Sequence, residues 1–182
     1  MIEVKEFKLP EVWEIKLDQN VDYRGSYMTV FTDDLFKQYT GETVREANLV
    51  DNRQYTFRGY HYSPHSWKLY LCLDGVLHYY LVNWDKEHEN YGKCAQITLL
   101  PYQGFIKHPR YATGMWSISE SRLMVLESQV YDSDNPDQET ITRNQLDGRL
   151  IGMNKKPIFY PDLPMIISER DTIGFQEVRD DC

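Results

Sequence analysis

No apolar run in this chain approaches the roughly 20 residues that a membrane-spanning helix needs, so no such span is expected. Positive charge is also short: 20 Lys and Arg stand against 28 Asp and Glu, a formal net charge of −8. Broad nucleic-acid binding needs a basic footprint that this balance does not supply. A small anionic ligand stays open, because a few local Arg and Lys can serve it. Cysteine is scarce. Cys72, Cys94 and Cys182 form no even set and have no metal-type spacing, which favours a reducing compartment over a disulfide scaffold. The opening MIEVKEFKLP is charged from Glu3 onward and carries no signal-peptide pattern, so a cytoplasmic location is expected. Repeats and low-complexity segments are absent.

What the chain does have is tyrosine, 14 of its 182 residues, against 10 glycines. Such a composition suits strands lining a cavity, where one ring face is apolar and the hydroxyl still meets water or ligand. The length fits one domain over residues 1–182. Runs of β-branched and aromatic residues at Glu11 to Leu17, Lys68 to Leu73, Val76 to Asn83, Ala95 to Leu100, Gly114 to Ser119 and Leu123 to Val130 read as strands. The turn signals between them include Asp74-Gly75, Tyr91-Gly92 and Gln103-Gly104. One early helix is expected over Asp33 to Tyr39, capped by Thr32 or Asp33 and closed by Gly41. From about residue 134 the chain is richer in proline and charge and reads as turns and short helices packed on the sheets. Many short strands in one domain point to an all-β sandwich or barrel.

The densest chemistry runs from Phe57 to Lys68. If Phe57 to Tyr62 is extended, His61 shares a face with Gly59, and Arg58 lies opposite with Tyr60 and Tyr62. A glycine beside a histidine would leave room for a ligand to approach the imidazole, the side chain best suited to take a proton near neutral pH. On the next strand Lys68, Tyr70 and Cys72 share one face, and Trp67, Leu69, Leu71 and Leu73 the other. A polar face opposite an apolar one fits either a cavity wall or an ordinary solvated surface. His65, His78, His88 and His108 read as structural, and no carboxylate or third histidine completes a metal set with His61 and His65. Two further segments stand out. Val21 to Tyr27 sets Asp22, Arg24 and Gly25 at a turn, where Arg24 is either a surface residue or a phosphate clamp. Ile166 to Asp171 places an acid after an apolar pair.

Taken together and in order, Asp22-Tyr23-Arg24-Gly25, Asn48, Arg58-Gly59-Tyr60-His61, Lys68 and Ser168-Glu169-Arg170-Asp171 resemble the dTDP-4-dehydrorhamnose 3,5-epimerase family and its relatives acting on other nucleotide sugars. The correspondence runs from about residue 10 to 172. The resemblance implies a double-stranded β-helix, the cupin or jelly-roll fold, with a few short peripheral helices. It implies a homodimer that exchanges an N-terminal strand, and no metal or other cofactor. The implied activity is epimerisation of a nucleotide-diphosphate 4-keto sugar at carbon 3, carbon 5 or both, for deoxysugar or heptose units of surface polysaccharide. His61 matches the base, Asp171 the carboxylate that orients it, and Lys68 the cation beside the enolate oxygen. Arg24, Asn48 and Arg58 match nucleotide and diphosphate contacts, with Arg24 reaching a neighbouring subunit; Tyr131 matches an aromatic stacking near the base. Tyr27 and Glu46 fall in the same nucleotide-binding region.

The chain departs from that pattern in places. Val125 stands where the family has the tyrosine that donates a proton to the opposite face, so Tyr79, Glu127 or a water is the expected donor. Thr113 and Asn83 replace both members of a second histidine–acid pair. Thr29 and Glu46 differ from the thymidine contacts, and the His61 to Lys68 interval is shorter than in dTDP-acting members, which favours GDP or CDP. Two other readings remain: a nucleotide-sugar-binding homologue without catalysis, and a 3,4-ketoisomerase sharing the enolate chemistry.

Overall fold

The computed structural model describes residues 2–132, 138–141, 165–168 and 171. The chain opens with an antiparallel pair, β1 (Ile2–Glu6) and β2 (Val12–Leu17), then an exposed hairpin of β3 (Asn20–Asp22) and β4 (Gly25–Tyr27). Helix α1 (Asp33–Thr40) follows as expected. Thr32 Oγ1 accepts the Leu35 N–H at 3.3 Å, and the Gly41 N–H closes the far end on the Lys37 carbonyl at 2.8 Å. The remaining strands are β5 (Glu46–Asn52), β6 (Phe57–Tyr62), β7 (Lys68–Asp74), β8 (Leu77–Asn83), β9 (Cys94–Leu99), β10 (Gln103–Lys107), β11 (Tyr111–Ser117), β12 (Ser121–Glu127) and β13 (Glu139–Thr140).

They form two antiparallel sheets, ordered β1-β2-β10-β7-β12-β5 and β13-β6-β11-β8-β9. The inner eight strands, β5-β12-β7-β10 facing β6-β11-β8-β9, have the order of a jelly roll, in agreement with the expected all-β double-stranded β-helix. Helical content among the described residues is essentially α1; the tail expected to carry short helices from about residue 134 lies largely outside them.

Alternation along the strands divides the apolar residues into three layers. Leu81, Ile97, Phe105, Tyr111 and Leu123 fill the space between the sheets. Leu69, Leu71, Ile106 and Leu126 face outward beneath Phe36 of α1, which is fully buried. Tyr80, Val82, Trp84 and Trp116 cover the outside of the other sheet. Each large side chain so sealed contributes about 1.5–3 kcal/mol of transfer free energy.

Strand ends shift by a few residues, as at Tyr111–Ser117 and Ser121–Glu127, and two of the changes have a visible cause. The strand read from Glu11 begins at Val12, because Glu11 has φ 56° and leaves the extended region. Gln103-Gly104, read as a turn, lies inside β10. Gly104 is there because β7 passes so close that a Cβ would stand 2.3 Å from the Tyr70 carbonyl oxygen.

Candidate active site

A cavity of about 150 Å³ opens between the facing sheets. A cavity of about that volume accepts a benzene-sized ring, so there is room for one small ring. Arg58, His61, Tyr79, Thr113 and Met115 line it from the five-stranded sheet; Lys68, Tyr70, Lys107, Val125 and Glu127 line it from the six-stranded sheet. The polar face of β7 is therefore a cavity wall, while Leu69 and Leu71 face away into the core.

His61 and Asp171, 110 residues apart, meet with Nε2 2.8 Å from Oδ1. A carboxylate only accepts, so Nε2 carries the ring proton and Nδ1 keeps the lone pair. The other Asp171 oxygen accepts the Gly59 N–H at 3.3 Å. The Asp171 backbone N–H is tied to Ser168, to its carbonyl at 3.0 Å and its Oγ at 3.3 Å. Burial works against the Asp171 charge, but the His61 contact and the Gly59 and Ser168 donors outweigh it and hold the carboxyl below its ordinary range. The Asp171 side chain is 5 % exposed and that of His61 26 %, so the acid is sealed while the imidazole still opens to the cavity.

The faces of β6 differ from simple alternation. Between its pairings with Met115 and Thr113 of β11, β6 runs from Arg58 to His61, three steps against two. This bulge changes the parity of the strand. Arg58 and His61, expected on opposite faces, both reach the cavity, whereas Tyr60 turns outward into the layer with Phe57. Gly59 does not make room for a ligand, as the sequence suggested. It has φ +122°, and a Cβ there would stand 2.6 Å from the Thr113 carbonyl oxygen, so it lets β6 and β11 close on each other.

A row of ionisable groups crosses the six-stranded wall. Glu46, Glu127, Lys68 and Lys107 are successive cross-strand partners on β5, β12, β7 and β10. The Lys68 ammonium bonds Glu127 at 2.7 Å. Burial alone would depress the pKa of Lys68, but Tyr70 and Glu127 hold it above the ordinary value, so it stays charged. Lys107 is 1 % exposed, and its Nζ donates to the Tyr111 carbonyl at 2.7 Å. Burial first, and then the Lys68 charge, push its pKa well below the ordinary lysine value.

The other expected residues fall into three groups. Tyr79 lines the cavity but is 2 % exposed, with its ring 4.8 Å from Tyr70 and 5.0 Å from Phe105. Asn48 and Tyr131 converge on the Glu46 carboxylate, through the Asn48 amide at 2.7 Å and the Tyr131 backbone N–H at 2.7 Å, beside Glu127. Arg24 and Tyr27 lie on the exposed hairpin, where Arg24 is paired to Asp22 at 2.5 Å; the chain does not bring them to its own cavity. Arg58 is held at its Nε by Asn52 Oδ1, 2.8 Å away.

At the departures, Val125 is on the cavity wall as the cross-strand partner of Tyr70, and Thr113 is the partner of His61. Asn83 lies elsewhere, bonded to the Asp85 N–H and to His88. His78 and His108 make local contacts to Thr98 and Arg110. Among the described residues no group of three or more His, Cys, Asp or Glu is placed to hold a metal, and no helix is long and apolar enough to cross a membrane. Sequence reasoning missed Tyr70 and Lys107 as site residues. Alternation from Lys68 already put Tyr70 on the right face, whereas Lys107 is recognisable only once its pairing with Lys68 is known.

The family model described as dTDP-4-dehydrorhamnose 3,5-epimerase matches residues 6–176. No curated protein matches the chain in sequence. Among solved structures it is similar to NovW, a 4-keto-6-deoxy sugar epimerase of Streptomyces spheroides, at 23 % identity and a TM-score of 0.79, covering 100 % of this chain and 91 % of that one. The RmlC epimerase of Mycobacterium tuberculosis is 22 % identical, with a TM-score of 0.78 and 98 % and 91 % covered. The Legionella pneumophila RmlC, solved in complex with dTDP-4-keto-L-rhamnose, is 17 % identical, with a TM-score of 0.80 and 95 % and 91 % covered. At such identities the likeness establishes the shared fold.

Proposed function

The chain belongs to the dTDP-4-dehydrorhamnose 3,5-epimerase family, and on that premise we propose that it inverts a ring carbon beside the ketone of a nucleotide-diphosphate 4-keto sugar. The observation that carries this reading is the His61–Asp171 pair at 2.8 Å, on the wall of a cavity whose facing wall holds the Lys68 ammonium. A ketone acidifies the protons on the carbons next to it. Nδ1 of His61 takes one of them, and Asp171 stabilises the imidazolium that forms. Negative charge then develops on the ketone oxygen, where a fixed ammonium in a dry site lowers the barrier most; Lys68 supplies it. The cavity admits a sugar ring, so the diphosphate extends outward past Arg58, whose fork suits paired phosphate oxygens.

Glu46, Asn48 and Tyr131 are proposed to meet the nucleotide at the mouth. Thr29 and Glu46 favour GDP or CDP over dTDP. Arg24 and Tyr27 sit on an exposed hairpin away from the chain's own cavity, which supports their service in the site of a second copy within a cytoplasmic homodimer; the expected exchange of the first strand has no such support, because β1 pairs along its length with β2 of its own chain. The product is proposed to enter surface polysaccharide as a deoxysugar or heptose.

Deuterium uptake from D2O into the ring carbons of dTDP-, GDP-, CDP- and UDP-linked 4-keto sugars tests the reading. Uptake with one of them, abolished by His61→Asn, is the expected result. Tight binding without uptake at any carbon would identify a catalytically silent homologue, and a displaced carbonyl a ketoisomerase.

A further inference from the structure

The epimerase reading leaves one group unnamed, the acid that returns a proton on the face opposite His61, and the following inference rests on that reading. Inversion at one carbon requires removal from one face of the ring and delivery to the other. A ring held between the two sheets turns one face to each wall. His61 belongs to the five-stranded wall, so the acid must stand on the six-stranded one.

We propose that the phenol of Tyr70 is that acid. Tyr70 lies on β7 two residues beyond Lys68 and on the same face, roughly 7 Å along the strand. Its hydroxyl crosses the cavity to within 3.3 Å of Thr113 Oγ1, and Thr113 is the cross-strand partner of His61. Neighbouring side chains of that kind have Cβ atoms about 4.5–5.5 Å apart. The phenol, rooted on the six-stranded wall, and the imidazole, rooted on the five-stranded wall, therefore open on the same small volume. The Tyr70 ring packs in a triangle with Tyr79 at 4.8 Å and Phe105 at 5.0 Å, themselves 5.0 Å apart, so its hydroxyl is fixed before the substrate arrives. Burial raises the phenol pKa, which keeps the O–H intact at neutral pH, while the Lys68 charge offsets part of that rise and steadies the phenolate left behind.

The competitors fit less well. Tyr79 is on β8, in the same sheet as His61, and cannot serve the far face. Glu127 is on the correct wall but is engaged by Lys68 at 2.7 Å. Val125, the partner of Tyr70 on that wall, has no proton to give.

The step balances without a co-reactant. Nδ1 of His61 takes the proton of the ring C–H bond, and its electron pair becomes the enolate. That pair then forms a new C–H bond on the other face with the Tyr70 proton, and the O–H bond breaks to phenolate. Water carries a proton from imidazolium to phenolate and resets both groups.

Tyr70→Phe separates the two half-reactions. In D2O, with whichever of the dTDP-, GDP-, CDP- and UDP-4-keto sugars the wild type turns over, the variant is expected to keep His61-dependent deuterium exchange with retained configuration. It is expected to lose inversion by about 10²–10⁴-fold, the usual cost of a general acid. Thermal melting checks that it folds, and Tyr70→Phe with Val125→Tyr, which returns a phenol to the same wall one strand away, is expected to regain part of the inversion. Inversion by Tyr70→Phe at the wild-type rate overturns the assignment and leaves the epimerase reading intact. Loss of exchange together with inversion overturns it in favour of a structural role. No exchange by the wild type with any substrate defeats both.

Discussion

Asp171→Asn exposes the proton logic of the site. Each Asp171 oxygen accepts one donor, the His61 Nε2–H at 2.8 Å and the Gly59 N–H at 3.3 Å. Asparagine has one acceptor and one donor in the same space. If its oxygen faces Gly59, its NH2 faces His61, and the ring must move its proton to Nδ1 and lose the base. If its oxygen faces His61, the NH2 meets the Gly59 N–H and a buried donor is left unpaired, at about 1–3 kcal/mol. For a chain of this size each kcal/mol lowers Tm by about 2–4 °C, so the second arrangement costs roughly 2–12 °C, and the first costs catalysis, about 10²–10⁴-fold. Ring-carbon deuterium exchange at saturating substrate, beside a thermal melt, reads both. KM should hold, because Asp171 does not line the cavity. The folded Asp171 pKa is depressed, so its contribution to stability is present above the ordinary carboxyl pKa, about 4, and fades as pH falls through the lower folded value. Wild type and variant should therefore converge in strong acid. A variant that exchanges at the wild-type rate refutes the role of Asp171, whatever its Tm.

Two further outcomes follow from the same geometry. Lys107→Met should change how stability varies with pH: the folded amine has a depressed pKa while the unfolded one has its ordinary value near 10, so between them the unfolded state binds more protons and wild-type stability climbs with pH by up to ~1.4 kcal/mol per unit. Denaturant melts from pH 7 to 10 should show the wild type gaining on the variant, whereas parallel curves would mean that Lys107 is charged in the fold. Gly59→Ala forces a Cβ to within 2.6 Å of the Thr113 carbonyl oxygen at a φ of +122°, so a loss of at least about 1–3 kcal/mol in denaturant melts is expected together with weaker activity; an alanine variant with wild-type stability would show that the bulge is not tight.

Alternation is local physics, and what depends on it was legible. Lys68, Tyr70 and Cys72 were separable from Leu69 and Leu71 by period alone, and α1 announced itself through Thr32 and Gly41. What failed was decided by contacts between distant strands. Gly104 resembles a turn residue until β7 is seen crossing it, and the parity of β6 changes only because β11 meets it with one residue fewer. Lys107 could not be recognised as a cavity residue without the register that sets it beside Lys68. The His61–Asp171 contact spans 110 residues; motif order pointed to it, but no periodicity could.

The central claim is that His61 meets a sugar carbon inside the cavity between the sheets. A crystal structure with a nucleotide-diphosphate sugar bound, its 4-ketone reduced to a hydroxyl so that it cannot turn over, tests this most directly. The account predicts carbon 3 or carbon 5 within about 3–3.5 Å of His61 Nδ1 and the carbon 4 oxygen on the Lys68 ammonium. A sugar held outside the cavity, or lying inside it with His61 turned away from both carbons, contradicts it.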